Sequence, residues 1–137
     1  MTSRTGRKQR CGRAEARTRL ADAQAQLDLA GLADAASSPQ ERKAAASCAV
    51  AAGIAAADAA CCARLGERSR SQNHLDAADL LRLIDPGGVA AARQFERLAD
   101  RKDAAQYGFG DIAGQSLLAL QRQASALVEF AERALAR

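Results

Sequence analysis

Apolar residues recur at helical spacing along most of the chain. Ala16, Leu20, Ala23, Leu27 and Ala30 fall at intervals of three and four, one stripe that predicts a helix from Ala14 to about Leu32. Gly31 and the Asp-Ala-Ala-Ser-Ser stretch then loosen the pattern into a connection. A second helix opens on Ser38 as N-cap, Pro39 at the first helical position and Glu41 closing a capping box. Its pattern runs to about Leu65, where Gly66 ends it. The polar stretch ERSRSQ reads as a loop, after which Asn73 caps a short third helix that buries Ala77, Leu80, Leu81 and Ile84. Asp85-Pro86-Gly87-Gly88 is a break, and the next helix starts at either Pro86 or Val89 with Ala91, Phe95, Leu98 and Ala99 facing inward. Tyr107-Gly108 suits its C-terminal cap. The last helix covers about Ile112 to Ala136, with Ile112, Leu120, Leu127, Phe130 and Ala131 on one side and Arg122, Glu129 and Arg133 on the other.

Runs of β-branched and aromatic residues that would make strands are absent, and aromatics amount to 3 % of the chain. Leu and Ala must fill the core, which favours helices packed closely through small side chains. These patterns predict an all-α fold, one domain of four to five helices spanning residues 14–137. The central stretch Ala44 to Ala63 carries one charge, Asp58, yet its alanine content fits a buried helix of a bundle better than a membrane span.

Charge separates one segment from the rest. Residues 1–19 hold seven basic groups and one acid, a balance of +6, whereas the remaining residues hold 13 basic and 15 acidic groups, a balance of −2. Residues 1–13 are accordingly read as a flexible basic arm, either a solubilising leader or a lure for nucleic acid. No apolar run follows the arginines, so no signal peptide is read and the expectation is a cytoplasmic protein. Cys11, Cys48, Cys61 and Cys62 lack CxxC spacing and the single His gives no zinc pattern, so neither metal nor cofactor is expected. The cysteines are read as small buried residues of a reducing compartment.

Candidate chemistry gathers between Gln94 and Asp111. If the fourth helix continues unbroken, Lys102 and Gln106 fall on its apolar side, Arg101 on the flank and Asp103 away from the core. Polar residues on an apolar face are a local rule broken, and such breaks gather at functional sites. Asp58 lies at the edge of the apolar arc of the second helix and needs a cation or hydrogen bonds, as a structural ion pair or as part of a polar pocket. His74, near the start of the third helix, is either a boundary residue or a proton carrier.

With the helices in this order, the chain resembles the HEPN family (higher-eukaryote and prokaryote nucleotide-binding domains). The small-residue-rich segment ASCAVAAGIAAADAACCARLG occupies the place of the family's Ala- and Tyr-rich second helix. RKDAAQYGFGD is similar to its charged helix end, R-x-x-A-D-Y-G-D. The resemblance implies a compact, commonly dimeric bundle. In active members it implies a metal-independent ribonuclease, often a toxin of mobile or defence loci, with an Arg and a His at this helix end and a polar residue on the second helix. Arg101 or Lys102 matches that Arg and Asp58 the polar group, but the His position falls at Gln106, and an amide cannot shuttle a proton. Tyr107 lies one residue out of register with the tyrosine that some family systems modify. The expectation is therefore a binding module for RNA, a nucleotide or a cognate protein, with Asp58, Arg101, Lys102, Gln106 and Tyr107 at its site. Two alternatives stand beside it: a ribonuclease using Arg101, Lys102 and His74, and a structural subunit of a larger assembly.

Overall fold

The second helix organises the molecule, because its caps and its alanine content let every other long element pack on it. In the computed structural model, which describes residues 7–137 apart from Gln72, Tyr107, Phe109 and the side chains of Ala104 and Gln106, the order is β1 (Lys8–Arg10), α1 (Arg13–Ala30), α2 (Pro39–Leu65), β2 (Glu67–Ser69), α3 (His74–Arg82), α4 (Gly88–Asp100), α5 (Lys102–Gln106) and α6 (Gly114–Ala136). Among the described residues five helices have nine or more residues, and the fold is an all-α bundle.

Ser38 accepts from the Glu41 amide while the Glu41 carboxylate accepts from the Ser38 amide, and Pro39 occupies the first turn of α2. Gly66 ends the helix at φ 73°, a left-handed conformation in which glycine carries no side-chain penalty. Between these caps Ala45, Ala46, Ala49, Ala52, Ala55, Ala56, Ala59 and Ala60 are all buried, so α1 and α6 approach the backbone of α2 closely. Phe95, Leu98, Leu117, Leu120 and Leu127 fill the wider gaps, each side chain contributing roughly 1.5–3 kcal/mol of burial. By length and a mean hydropathy of 1.6, α2 could cross a membrane, but 78 % of its apolar window is buried by the protein's own helices.

Three expectations are corrected here. A small antiparallel ribbon exists: β1 pairs with β2 in the register Lys8↔Ser69, Gln9↔Arg68 and Arg10↔Glu67. Residues 7–13, read as part of a flexible arm, are thereby joined to the bundle, with further bonds from the Cys11 amide to the Gly66 carbonyl at 3.0 Å and from the Arg70 amide to the Arg7 carbonyl at 2.8 Å. Cys11 and Cys62 form a disulfide across 51 residues, so two of the four cysteines are not reduced; Cys48 and Cys61 remain thiols. On a chain-entropy argument, closing a loop of that length stabilises the fold by about 4 kcal/mol.

The fourth helix is also interrupted. α4 stops at Asp100, Arg101 takes φ −100° and ψ 0°, and a separate five-residue helix restarts at Lys102. Angles extrapolated from Phe95 and Leu98 therefore do not carry across residue 101. Beyond α5, Arg42 anchors the connection to α6. Its Nε donates to the Ile112 carbonyl at 2.8 Å, and Nη2 donates to both Asp111 carboxylate oxygens at 2.7 and 2.6 Å.

Candidate functional site

The buried carboxylate of α2 is the focus of the one multi-arginine cluster among the described residues. Asp58 is 7 % exposed, and its Oδ2 accepts from Arg19 Nε at 3.2 Å, Arg19 Nη2 at 3.0 Å and Arg68 Nη1 at 2.9 Å. Charge-assisted bonds from two guanidiniums offset the desolvation of the carboxylate. Each arginine is held in turn. Arg19 Nη1 donates to Asp22 at 3.1 Å, and Arg68 Nη2 donates to Gln9 Oε1 at 2.8 Å. Both side chains remain about a third open to solvent, at 32 % and 30 %.

A cleft of about 300 Å³ opens beside this cluster, lined by Arg19, Asp58 and Ile54 on one side, Arg68 to Ser71 on another, and His74 and Phe95 on the third. β2 and the residues after it set the second wall, so that Arg68, Arg70, Ser69 and Ser71 all border the cleft. Counting formal charge, three arginines face one carboxylate there, which leaves the cleft positive. The His74 ring meets Phe95 edge-on, with centroids 6.1 Å apart. Burial holds the His74 pKa below the usual imidazole value; the Lys102 charge lowers it further and the Asp103 charge opposes both. At neutral pH the ring is thus a neutral donor and acceptor.

The residues expected at the site divide into two groups. Asp58 and His74 come together in the cleft, although they stand on different helices. Arg101 and Lys102 do not line it. Ala99 and Asp100, just before them, border a separate recess together with His74, and the Lys102 charge reaches the His74 ring, so this segment lies near the histidine without lining the cleft. Arg101 is half-buried with its Nη1 enclosed and without a hydrogen-bond partner among the described residues; Lys102 is half-buried and Asp103 exposed. The Gln106 side chain and Tyr107, also expected at the pocket, lie outside the described residues.

Sequence reasoning missed Arg19, Arg68 and Arg70. Arg19 sits three residues after Ala16 and four before Ala23, both fully buried, so it occupies the apolar stripe of α1 and was detectable by the same rule applied to Lys102. Arg68 and Arg70 had no such signal, being read as loop residues whose orientation depends on pairing with a strand 59 residues away.

A metal has no obvious seat, since no group of three His, Cys, Asp or Glu side chains is placed to share an ion among the described residues. What the arrangement can do is hold an anion, with guanidiniums and hydroxyls as donors and a neutral imidazole nearby. An all-α bundle with a positively charged interhelical cleft is thus the class that fold and site define. No protein-family model matches the chain, and no curated protein matches it.

Proposed function

We propose that the chain is a HEPN-like RNA- or nucleotide-binding module that takes a phosphate group at the Asp58 cleft and does not cleave it. The observation that carries this reading is the partly open pair Arg19 and Arg68, both aimed at one carboxylate, with Arg70, Ser69 and Ser71 on the same cleft. An arriving phosphate offers these guanidiniums further anionic oxygens as acceptors beside Asp58 Oδ2. The resemblance drawn from the helix order and the RKDAAQYGFGD segment adds a homodimer and a cognate protein partner of a toxin–antitoxin or defence system. Binding of a labelled single-stranded RNA, followed by anisotropy across a salt series, tests the reading. Arg68→Ala should weaken binding by roughly tenfold and reduce the salt slope by about one. Equal affinity and slope in wild type, Arg19→Ala and Arg68→Ala would remove the cleft as the binding site.

One observation favours a second reading, ribonuclease activity. His74 stands in the same cleft as the arginines and is held neutral, so it is able to accept a proton from a ribose hydroxyl. On that reading RNA is cut without metal, and His74→Ala abolishes cutting while leaving affinity intact. Absence of any cleavage by the wild type leaves the binding module alone.

A further inference from the structure

We infer that Cys11–Cys62 is a reversible redox-modification site, reduced by a dithiol, that latches the basic strand β1 beside the anion cleft. The bond joins the residue just after β1 to the last turn of α2. The non-covalent contacts that hold β1 are each weak in water: a three-residue ladder whose own residues are exposed, one backbone bond at either end of it (Cys11 amide to Gly66 carbonyl and Arg70 amide to Arg7 carbonyl), a Lys8–Glu67 pair at 3.5 Å with both side chains a third open, and the Arg68–Gln9 bond. A two-stranded ribbon without a covered apolar face is marginal on its own, and exposed ion pairs add little. The covalent bond is therefore what makes the attachment persist.

Access and chemistry are consistent with exchange. Cys11 is half-buried and borders a second cleft, of about 400 Å³, together with Gln9, Cys62, Arg19 and Arg68. A thiolate of the dithiol attacks Cys11 Sγ, the S–S bond breaks, and Cys62 leaves as a thiolate that takes a proton from water. The second thiolate of the reductant then attacks its own sulfur in the mixed disulfide and releases Cys11, which is protonated in turn. Two electrons and two protons pass to the protein and the dithiol departs as a disulfide. Cys61 does not compete for either sulfur, since burial, with the Asp58 and Glu67 charges, pushes its thiol up to about 12.

The consequence runs from the bond to the cleft. Once β1 is free, Gln9 no longer holds Arg68 Nη2, β2 loses its ladder partner, and the Arg7, Lys8 and Arg10 charges are no longer tied beside β2. Arg68 is then less well ordered against Asp58. In this state RNA should bind roughly threefold to tenfold more weakly; this coupling, unlike the latch itself, rests on the proposed function.

The test uses the full chain, oxidised and after treatment with a 1,4-dithiol, with thiols counted, trypsin cleavage mapped by mass spectrometry and helicity followed by circular dichroism. Cleavage after Arg7, Lys8 and Arg10 should be slow in the oxidised form, fast in the reduced form and slow again after reoxidation, with helicity retained throughout. Cys11→Ser, which leaves the buried Cys62 in place, should behave as the reduced form under all conditions. Equal cleavage in both states overturns the latch, as does a disulfide that the dithiol reduces only when the helices unfold. RNA binding that is unchanged by reduction overturns the coupling. Loss of RNA binding in both states, with the cleavage pattern as expected, overturns the proposed function and leaves the latch standing.

Discussion

Replacing Asp58 with alanine leaves the Arg19 and Arg68 guanidiniums converging on a site without a counter-charge. Removing one partner of a buried pair typically costs 3–5 kcal/mol, and the partial exposure of both arginines reduces this to about 2–3 kcal/mol. Urea unfolding should report that loss in Asp58→Ala, and a midpoint equal to wild type would mean that the cluster is held by packing instead. His74 makes the second residue-scale prediction, and its sign follows from burial. Its folded pKa lies below the unfolded value of 6.5, so the unfolded chain binds more protons between the two and stability rises with pH across that window. Acidification from neutral pH toward pH 5 should therefore lower the thermal midpoint, and His74→Leu should flatten that slope. A slope that survives in the variant would assign the pH response to other groups. Below this window, Asp111, held low by its bonds from Arg42, gives stability of the same sign that is lost as the carboxylate is protonated.

At the scale of elements, close approach of backbones decides what the helices tolerate. Gly88 opens α4 against the end of α3, and a Cβ there would sit 2.2 Å from the Leu81 carbonyl oxygen. Main chain cannot swing aside as a side chain can, so Gly88→Ala should destabilise by about 2–3 kcal/mol despite alanine's better helix propensity. A denaturant midpoint at or above wild type would show that α3 and α4 separate without penalty. The same scale explains why caps were legible and the candidate site was only partly so. Ser38, Pro39, Glu41 and Gly66 bound α2 through contacts among residues three or four apart, and the helix runs from Pro39 to Leu65 as the pattern predicts. Lys102, by contrast, was placed by continuing a helix that in fact ends at Asp100. Helical angles propagate only while the i to i−4 bonds do, so the place of Lys102 does not follow from the inward faces of Phe95 and Leu98.

For the whole molecule, the disulfide and the ribbon alter how the bundle is held together. Cys11→Ser should lower the stability to unfolding by up to about 4 kcal/mol, the chain-entropy value for its loop, while leaving the helical signal of the native state unchanged. Equilibrium urea curves of the variant and of the oxidised wild type measure this directly. A variant that loses its helicity in water would mean that the bundle depends on the bond to fold at all. The positive charge also changes meaning at this scale. As a sequence average it belongs to an N-terminal arm; in the folded chain Arg19 and Arg68 meet at Asp58, and Lys8 and Arg10 lie in a strand beside Arg68.

What the sequence by itself determined is the set of elements: an all-α bundle, the caps of α2, the breaks at Gly66 and Asp85–Gly88, and the inward residues Leu80, Leu81, Phe95, Leu98 and Leu127. These depend on periodicity and on interactions spanning a turn or two, which a linear pattern records. The meeting of Arg19 with Asp58, of Gln9 with Arg68 and of Cys11 with Cys62 spans 39, 59 and 51 residues. No local pattern encodes which distant polar groups will share a cleft. Only the packing of α1 on α2, with the ribbon folded over their end, brings a carboxylate, its arginines and a histidine to one place.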